Sequence, residues 1–102
     1  MYKLEYLPAA RRDMVSIVRY IARELGNVSA AERLALELTS AADNLSKFPY
    51  ASPVHIPIRP LEYEYRKVSV RNYLLFYRVD EARKLVTVAR VVYAGRVYER
   101  LL

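Results

Sequence analysis

"YRKVSVRNYLLFYRV", Tyr65 to Val79, is the stretch whose reading decides the fold. It carries four cations and three tyrosines, and its β-branched and aromatic residues fall into two runs divided by Arg71-Asn72. Such residues suit a pleated, half-buried surface, so the runs read as two strands joined by a tight turn. Alternation sends Tyr65, Lys67 and Ser69 to one face and Arg66, Val68 and Val70 to the other. After the turn, Tyr73, Leu75, Tyr77 and Val79 oppose Leu74, Phe76 and Arg78. Both faces of this second run are apolar, which makes it a central strand packed on each side.

Downstream, "DEARK" forms the next turn and Leu85–Tyr93 the next strand. There Val86, Val88, Arg90 and Val92 are expected opposite Leu85, Thr87, Ala89, Val91 and Tyr93. Leu61–Val70, Tyr73–Val79 and Leu85–Tyr93 therefore make an antiparallel meander, and the closing "AGRVYERLL" stays unassigned. Upstream, "PYASPVHIPIRP" (49–60) holds four of the chain's five prolines and reads as an extended surface crossing. Its His55 is expected to face solvent.

The N-terminal half has a different period. "YKLEYL" (Tyr2–Leu7) alternates and reads as a half-buried strand, which Pro8 ends. From Ala9 to Leu25, Met14, Ile17, Val18, Ile21 and Leu25 recur at helical spacing, with Arg11, Arg12, Arg19 and Arg23 on the other face. Gly26 supplies the left-handed residue that stops this helix. Ser29–Glu32 reads as a capping box opening a second helix to about Lys47, which buries Leu34, Leu38, Ala41, Leu45 and Phe48. A short connection makes the two helices an antiparallel hairpin. The expectation is an α+β fold: strand, antiparallel helix hairpin, three-stranded antiparallel meander, with the helices on one face of the sheet. The opposite face is expected to lack a covering layer.

At 102 residues the chain suits a single domain, 1–102. A hydrophobic fraction of 54% beside 27% charged residues belongs to folded, soluble chains. No cysteine, no signal-peptide pattern and no long apolar run are present, so a reducing cytoplasm is the expected setting and no membrane role is expected. The net charge of +6 is uneven: residues 52–102 hold ten Lys/Arg against five Asp/Glu, while residues 1–51 hold seven against six. That asymmetry points to an anionic partner, nucleic acid or acidic protein, beside the plain reading of a soluble basic domain.

A lone histidine and the absence of cysteine argue against a metal site, and two glycines argue against a phosphate loop. No metal and no cofactor are expected. Arg, Lys and Tyr remain. Cleaving RNA through its 2′-hydroxyl needs a proton acceptor, a cation for the phosphorus and a donor for the leaving oxygen. Arginine serves the second need. Lysine or tyrosine serves the first only with a much lowered pKa, and the charge of Arg66 beside Lys67 acts in that direction. The alternative is that these tyrosines are strand formers and these cations solvated positions.

The ordered set "PAARRDMVSIVRYIARE", "LSKFPYAS", "YRKVSVRNYLLFYRVDE" and "VTVARVVYAGRVYERLL" resembles the RelE/ParE superfamily, toxins of bacterial type II toxin–antitoxin pairs. The likeness runs over the whole chain, through Arg66, Asn72–Tyr77, Asp80-Glu81 and Arg90–Arg96. It implies one of two activities. ParE-like members poison DNA gyrase; RelE-like members cut mRNA on the ribosome, as metal-independent endoribonucleases. For cleavage the likeness implies Lys67, Arg71, Arg96 and Tyr98 as catalytic residues. For contact with target or antitoxin it implies Arg66, Tyr73, Arg90, Tyr93 and Arg100. The arginine that RelE-like members carry after the tyrosine of the second meander strand is Leu74 here, Val97 follows Arg96, and the full-length second helix is more like ParE. The resemblance also implies a cognate antitoxin, with a homodimer or a toxin–antitoxin heterotetramer as assemblies. A third reading, from another class, is an inactive toxin that only binds antitoxin.

Overall fold

The computed structural model describes residues 1–58, 60–95 and 101–102. The order is β1 (Lys3–Tyr6), α1 (Pro8–Arg23), α2 (Val28–Leu45), β2 (Arg66–Val70), β3 (Tyr73–Asp80) and β4 (Leu85–Tyr93). The strands form one mixed sheet in the order β1-β4-β3-β2, with β1 parallel to β4 and the meander antiparallel. The expected α+β layout is the observed one, and Leu4↔Val86 and Val68↔Leu75 belong to its registers.

Each helix boundary has a local cause. Pro8 occupies the first turn of α1, where its missing N–H costs nothing. Gly26 takes φ +62°, the left-handed conformation that glycine adopts freely. The cap of α2 differs from the expected capping box: Asn27 accepts the Ala30 N–H at 3.0 Å. Ser29 therefore lies inside the first turn, because Asn27 offers a good N-cap two residues earlier. Leu34, Leu38, Ala42 and Leu45 of α2 are buried against the sheet with Ala10 of α1. Phe48 and Leu25 were expected inside but are 59% and 60% exposed, because both lie beyond the last helical turn.

The sheet's reverse face is covered, contrary to the sequence expectation. Residues 61–65 do not extend β2; they bend away, and β2 begins only at Arg66. The proline-rich crossing is tied to β2 by His55 N–H to the Tyr65 carbonyl at 2.8 Å and Lys67 N–H to the Pro53 carbonyl at 3.2 Å. Tyr65, Phe76, Ala89 and Val92 form a second buried cluster there, with Leu61, Leu101 and Leu102 packed against it. His55 is buried, edge-to-face on Phe76 at 5.2 Å, and does not face solvent.

β4 also departs from simple alternation. Tyr77 pairs with Val88 but Phe76 pairs with Arg90, so Ala89 is the extra residue of a β-bulge. Past the bulge the faces exchange. Val91 joins Val86 and Val88 in the helical core, while Val92 joins Ala89 on the reverse side.

Leu38 is fully enclosed between α2 and the sheet, so Leu38→Ala should lower unfolding free energy by about 2–5 kcal/mol in urea denaturation. Leu36→Ala, on the solvent side of the same helix, should stay within about 0.5 kcal/mol.

Candidate functional site at the sheet margins

Because both faces of β3 are packed, polar chemistry gathers at the margins of the sheet. The described members of the RNA-cleaving set lie apart. Lys67 stands opposite Phe76, on the reverse-face side. Arg71 occupies the β2–β3 turn with φ +53° and points toward α2. Its guanidinium donates to both Glu37 oxygens, Nη2 at 2.7 Å and Nε at 2.5 Å. Those hydrogen bonds hold the Glu37 carboxyl below its ordinary range and raise Arg71 further. Arg96, Tyr98 and Arg100 lie outside the described residues.

Arg90 was expected to face a partner, but its charge is used inside the fold. Asp13 of α1 accepts Arg90 Nε at 2.7 Å, Nη2 at 2.9 Å and the Val91 N–H at 2.9 Å. Arg90 Nη1 also donates to the Leu101 carbonyl at 3.3 Å. β1 pairs with β4 only as far as Val88, and no described strand pairs with the outer edge of β4 beyond the bulge. Asp13 supplies the acceptor that this edge needs. Hydrogen bonds from Arg90 to Asp13 raise the Arg90 pKa. Asp13 was missed from sequence; the one available signal was an acid three residues from Ala10 and four from Ile17, at the border of the apolar face of α1.

Two of the expected contact residues do meet. Tyr73 and Tyr93 stand edge-to-face at 6.0 Å, in a groove of about 620 Å³ between α1 and the end of the sheet. Tyr20 and Leu25, both exposed, form its outer wall with Ile17 inside. Burial, then the neighbouring Tyr93 and Tyr20, push the Tyr73 phenol up. Arg66 is elsewhere, four residues along β2 from the Tyr73 pairing, with its guanidinium over Tyr50 at 5.0 Å and a 2.7 Å bond to the Ser52 carbonyl.

Glu81, at the β3–β4 turn, is a third polar centre. It accepts from Tyr2 at 2.7 Å on each oxygen, from Tyr50 at 2.9 Å and from Lys84. The bonds from Lys84, Tyr2 and Tyr50 lower its pKa to about 2. Burial first, then the bond to Glu81, pushes Tyr50 up to about 12. Raised phenols stay protonated at neutral pH and make poor proton acceptors. Among the described residues no group of three or more His, Asp or Glu is placed to hold a metal, and no helix is long and apolar enough to cross a membrane.

A strand, a helix hairpin and a meander on one mixed sheet are also the fold of solved chains from toxin–antitoxin systems. The family model for the ParE toxin of the type II toxin–antitoxin system parDE matches residues 4–98, and the chain belongs to that family. The same fold occurs in the RelBE2 toxin–antitoxin complex of Mycobacterium tuberculosis, at TM-score 0.65 and 22% identity over 90% of this chain and 96% of that one. It occurs in the chromosomal ParDE system of P. aeruginosa, at TM-score 0.69 and 17% identity over 91% and 96%. The isolated E. coli RelE toxin aligns over 100% of both chains at TM-score 0.56 and 20% identity. No curated protein matches the chain by sequence.

Two outcomes follow. The low pKa of Glu81 contributes stability that is complete above its ordinary 4.5 and is lost as pH falls through about 2. The melting temperature should therefore fall more steeply between about pH 5 and pH 2 in the natural chain than in Glu81→Gln. Asp13→Ala leaves a largely buried guanidinium and an edge N–H without their acceptor, and should cost about 2 kcal/mol in urea denaturation.

Proposed function

We propose that this toxin arrests growth by binding DNA gyrase through protein contact, in the bacterial cytoplasm, and that a cognate antitoxin neutralises it. The divergence of Lys67 and Arg71 carries this reading. Lys67 lies on the reverse-face side, while Arg71 is bound to Glu37 on the helical side. A reaction that protonates and deprotonates one phosphodiester needs its groups around one atom. With Arg90 consumed by Asp13, and with Leu74 where the RelE-like pattern has arginine, the described residues offer no convergent set for cutting RNA. Binding a large target asks only for complementary surface, and the groove carrying Tyr73 and Tyr93 presents exposed aromatic and apolar side chains of the kind that anchor interfaces. The antitoxin partner is supported by family membership and by the complexes in which the same fold occurs.

Purified chain added to purified gyrase should inhibit supercoiling of relaxed plasmid. Unimpaired supercoiling at a large molar excess would contradict the proposal. In cells, Lys67→Ala combined with Arg71→Ala should leave growth arrest intact. An acid–base mechanism through these residues predicts instead a loss of about 10²-fold or more in toxicity, with mRNA cleavage in the natural chain.

A further inference from the structure

The groove between α1 and the end of the sheet is lined by Tyr20 of α1, Tyr73 at the start of β3 and Tyr93 at the end of β4. Tyr73 and Tyr93 stand opposite each other in the β3–β4 register, with their rings inclined at 71°. The Tyr93 ring turns back over Gly95, where an added Cβ would meet its Cε2 at 2.5 Å. Bare backbone at 95 therefore makes room for the ring in this position. The hydrogen-bonding groups of the groove are one-sided. Among the described residues, the hydroxyls of Ser16, Tyr20, Tyr73 and Tyr93 form no hydrogen bond, and each can donate one. Burial first, then Tyr93 and Tyr20, raise the Tyr73 phenol, so its proton is kept. The acceptors are already occupied. Asp13 receives Arg90 on both oxygens and the Val91 N–H on one, and the Asn72 carbonyl receives the Ala94 N–H at 2.8 Å. No described lysine or arginine lines the groove, although the chain carries a net charge of +6.

We propose that this groove takes a proline-rich segment of a partner polypeptide, bound in the extended polyproline II conformation. Three features select this occupant. A polyproline II chain has no internal hydrogen bonds and turns its carbonyls outward, while proline has no N–H to offer. It therefore brings acceptors and few donors to a groove that offers donors and few acceptors. Aromatic-lined grooves are the surfaces on which such segments dock, and their stiff backbone loses little freedom on binding. An apolar helix fits less well, because its carbonyls are held in its own ladder and leave the hydroxyls unused. A nucleic-acid strand fits less well again, because the groove presents no cation to its phosphates. The proposal deepens the gyrase reading, since the groove is the same, and rests on it for the identity of the partner.

The test is NMR titration of the full chain with acetyl-Pro-Pro-Leu-Pro-Pro-Leu-Pro-amide. A counterpart with every proline replaced by alanine and a thymidine oligonucleotide are run in parallel. Saturable binding of the proline peptide is expected, with amide shifts at residues 20, 73 and 93. Affinity should fall roughly tenfold or more in Tyr93→Ala, in Tyr20→Ala and for the alanine peptide. Both tyrosines are exposed, so these variants should keep the natural circular dichroism spectrum. Gly95→Ala, which retains all three phenols and displaces one ring, should also bind more weakly. Absent binding of the proline peptide, equal binding of the alanine peptide, unchanged affinity in both tyrosine variants, shifts confined to another surface, or displacement of the peptide by the oligonucleotide would each overturn the proposal. Supercoiling is assayed separately with the same chain. Peptide binding by a chain that leaves gyrase unimpaired would uphold the chemistry of the groove and overturn the gyrase reading alone.

Discussion

Phe76 and Tyr77 are neighbours in β3, point to opposite faces of the sheet, and are both fully buried. That single constraint shapes the molecule, because it requires cover on both sides of a four-stranded sheet. The helix hairpin seals the Tyr77 side, and the Tyr77 hydroxyl finds its acceptor in the Pro49 carbonyl at 2.7 Å, at the exit from α2. The Phe76 side is sealed by thinner material: His55 and Tyr65 from the crossing, with Leu61, Leu101 and Leu102. Burying rings of this size supplies about 1.5–3 kcal/mol each, enough to hold a proline-stiffened crossing against the sheet.

With both faces occupied, the basic charge of the C-terminal half is displaced to the edges, and part of it is spent there. Arg90 neutralises Asp13 and so secures the bulged edge of β4 to α1. Arg71 neutralises Glu37 and ties the β2–β3 turn to α2. The number of Lys and Arg residues therefore overstates the cations free for partners. Among the described residues, Arg66 and Arg78 stack on Tyr50 and Tyr63 at another margin of the sheet.

Much of this was legible in the residues. Apolar spacing marked both helices, and the turn residues Arg71-Asn72 and Asp80–Lys84 marked the meander, because these signals are local. The apolar character of both faces of β3 already implied a second covering layer, and it sat uneasily with the expectation of an open face. Other features depended on distant partners. The bulge at Ala89 has no glycine to announce it, and it reverses the facing of Arg90, Val91 and Val92. The engagement of Asp13 follows from that bulge and from the early end of β1, so the spacing along α1 could mark the acid but not its partner. His55 lay in a proline-rich stretch that reads as solvated, yet Phe76 needed a ring above it. Asn27 and Ser29 both cap well, and local chemistry alone does not choose between them.

The two-sided sealing of β3 is tested most directly by hydroxyl-radical footprinting of the free protein, read residue by residue in the mass spectrometer. The account predicts slow labelling of Phe76 and Tyr77, beside rapid labelling of Tyr20, Tyr63 and Tyr93 at the margins. Labelling of Phe76 as fast as that of Tyr93 would contradict it, by showing a reverse face open to solvent and free to receive RNA.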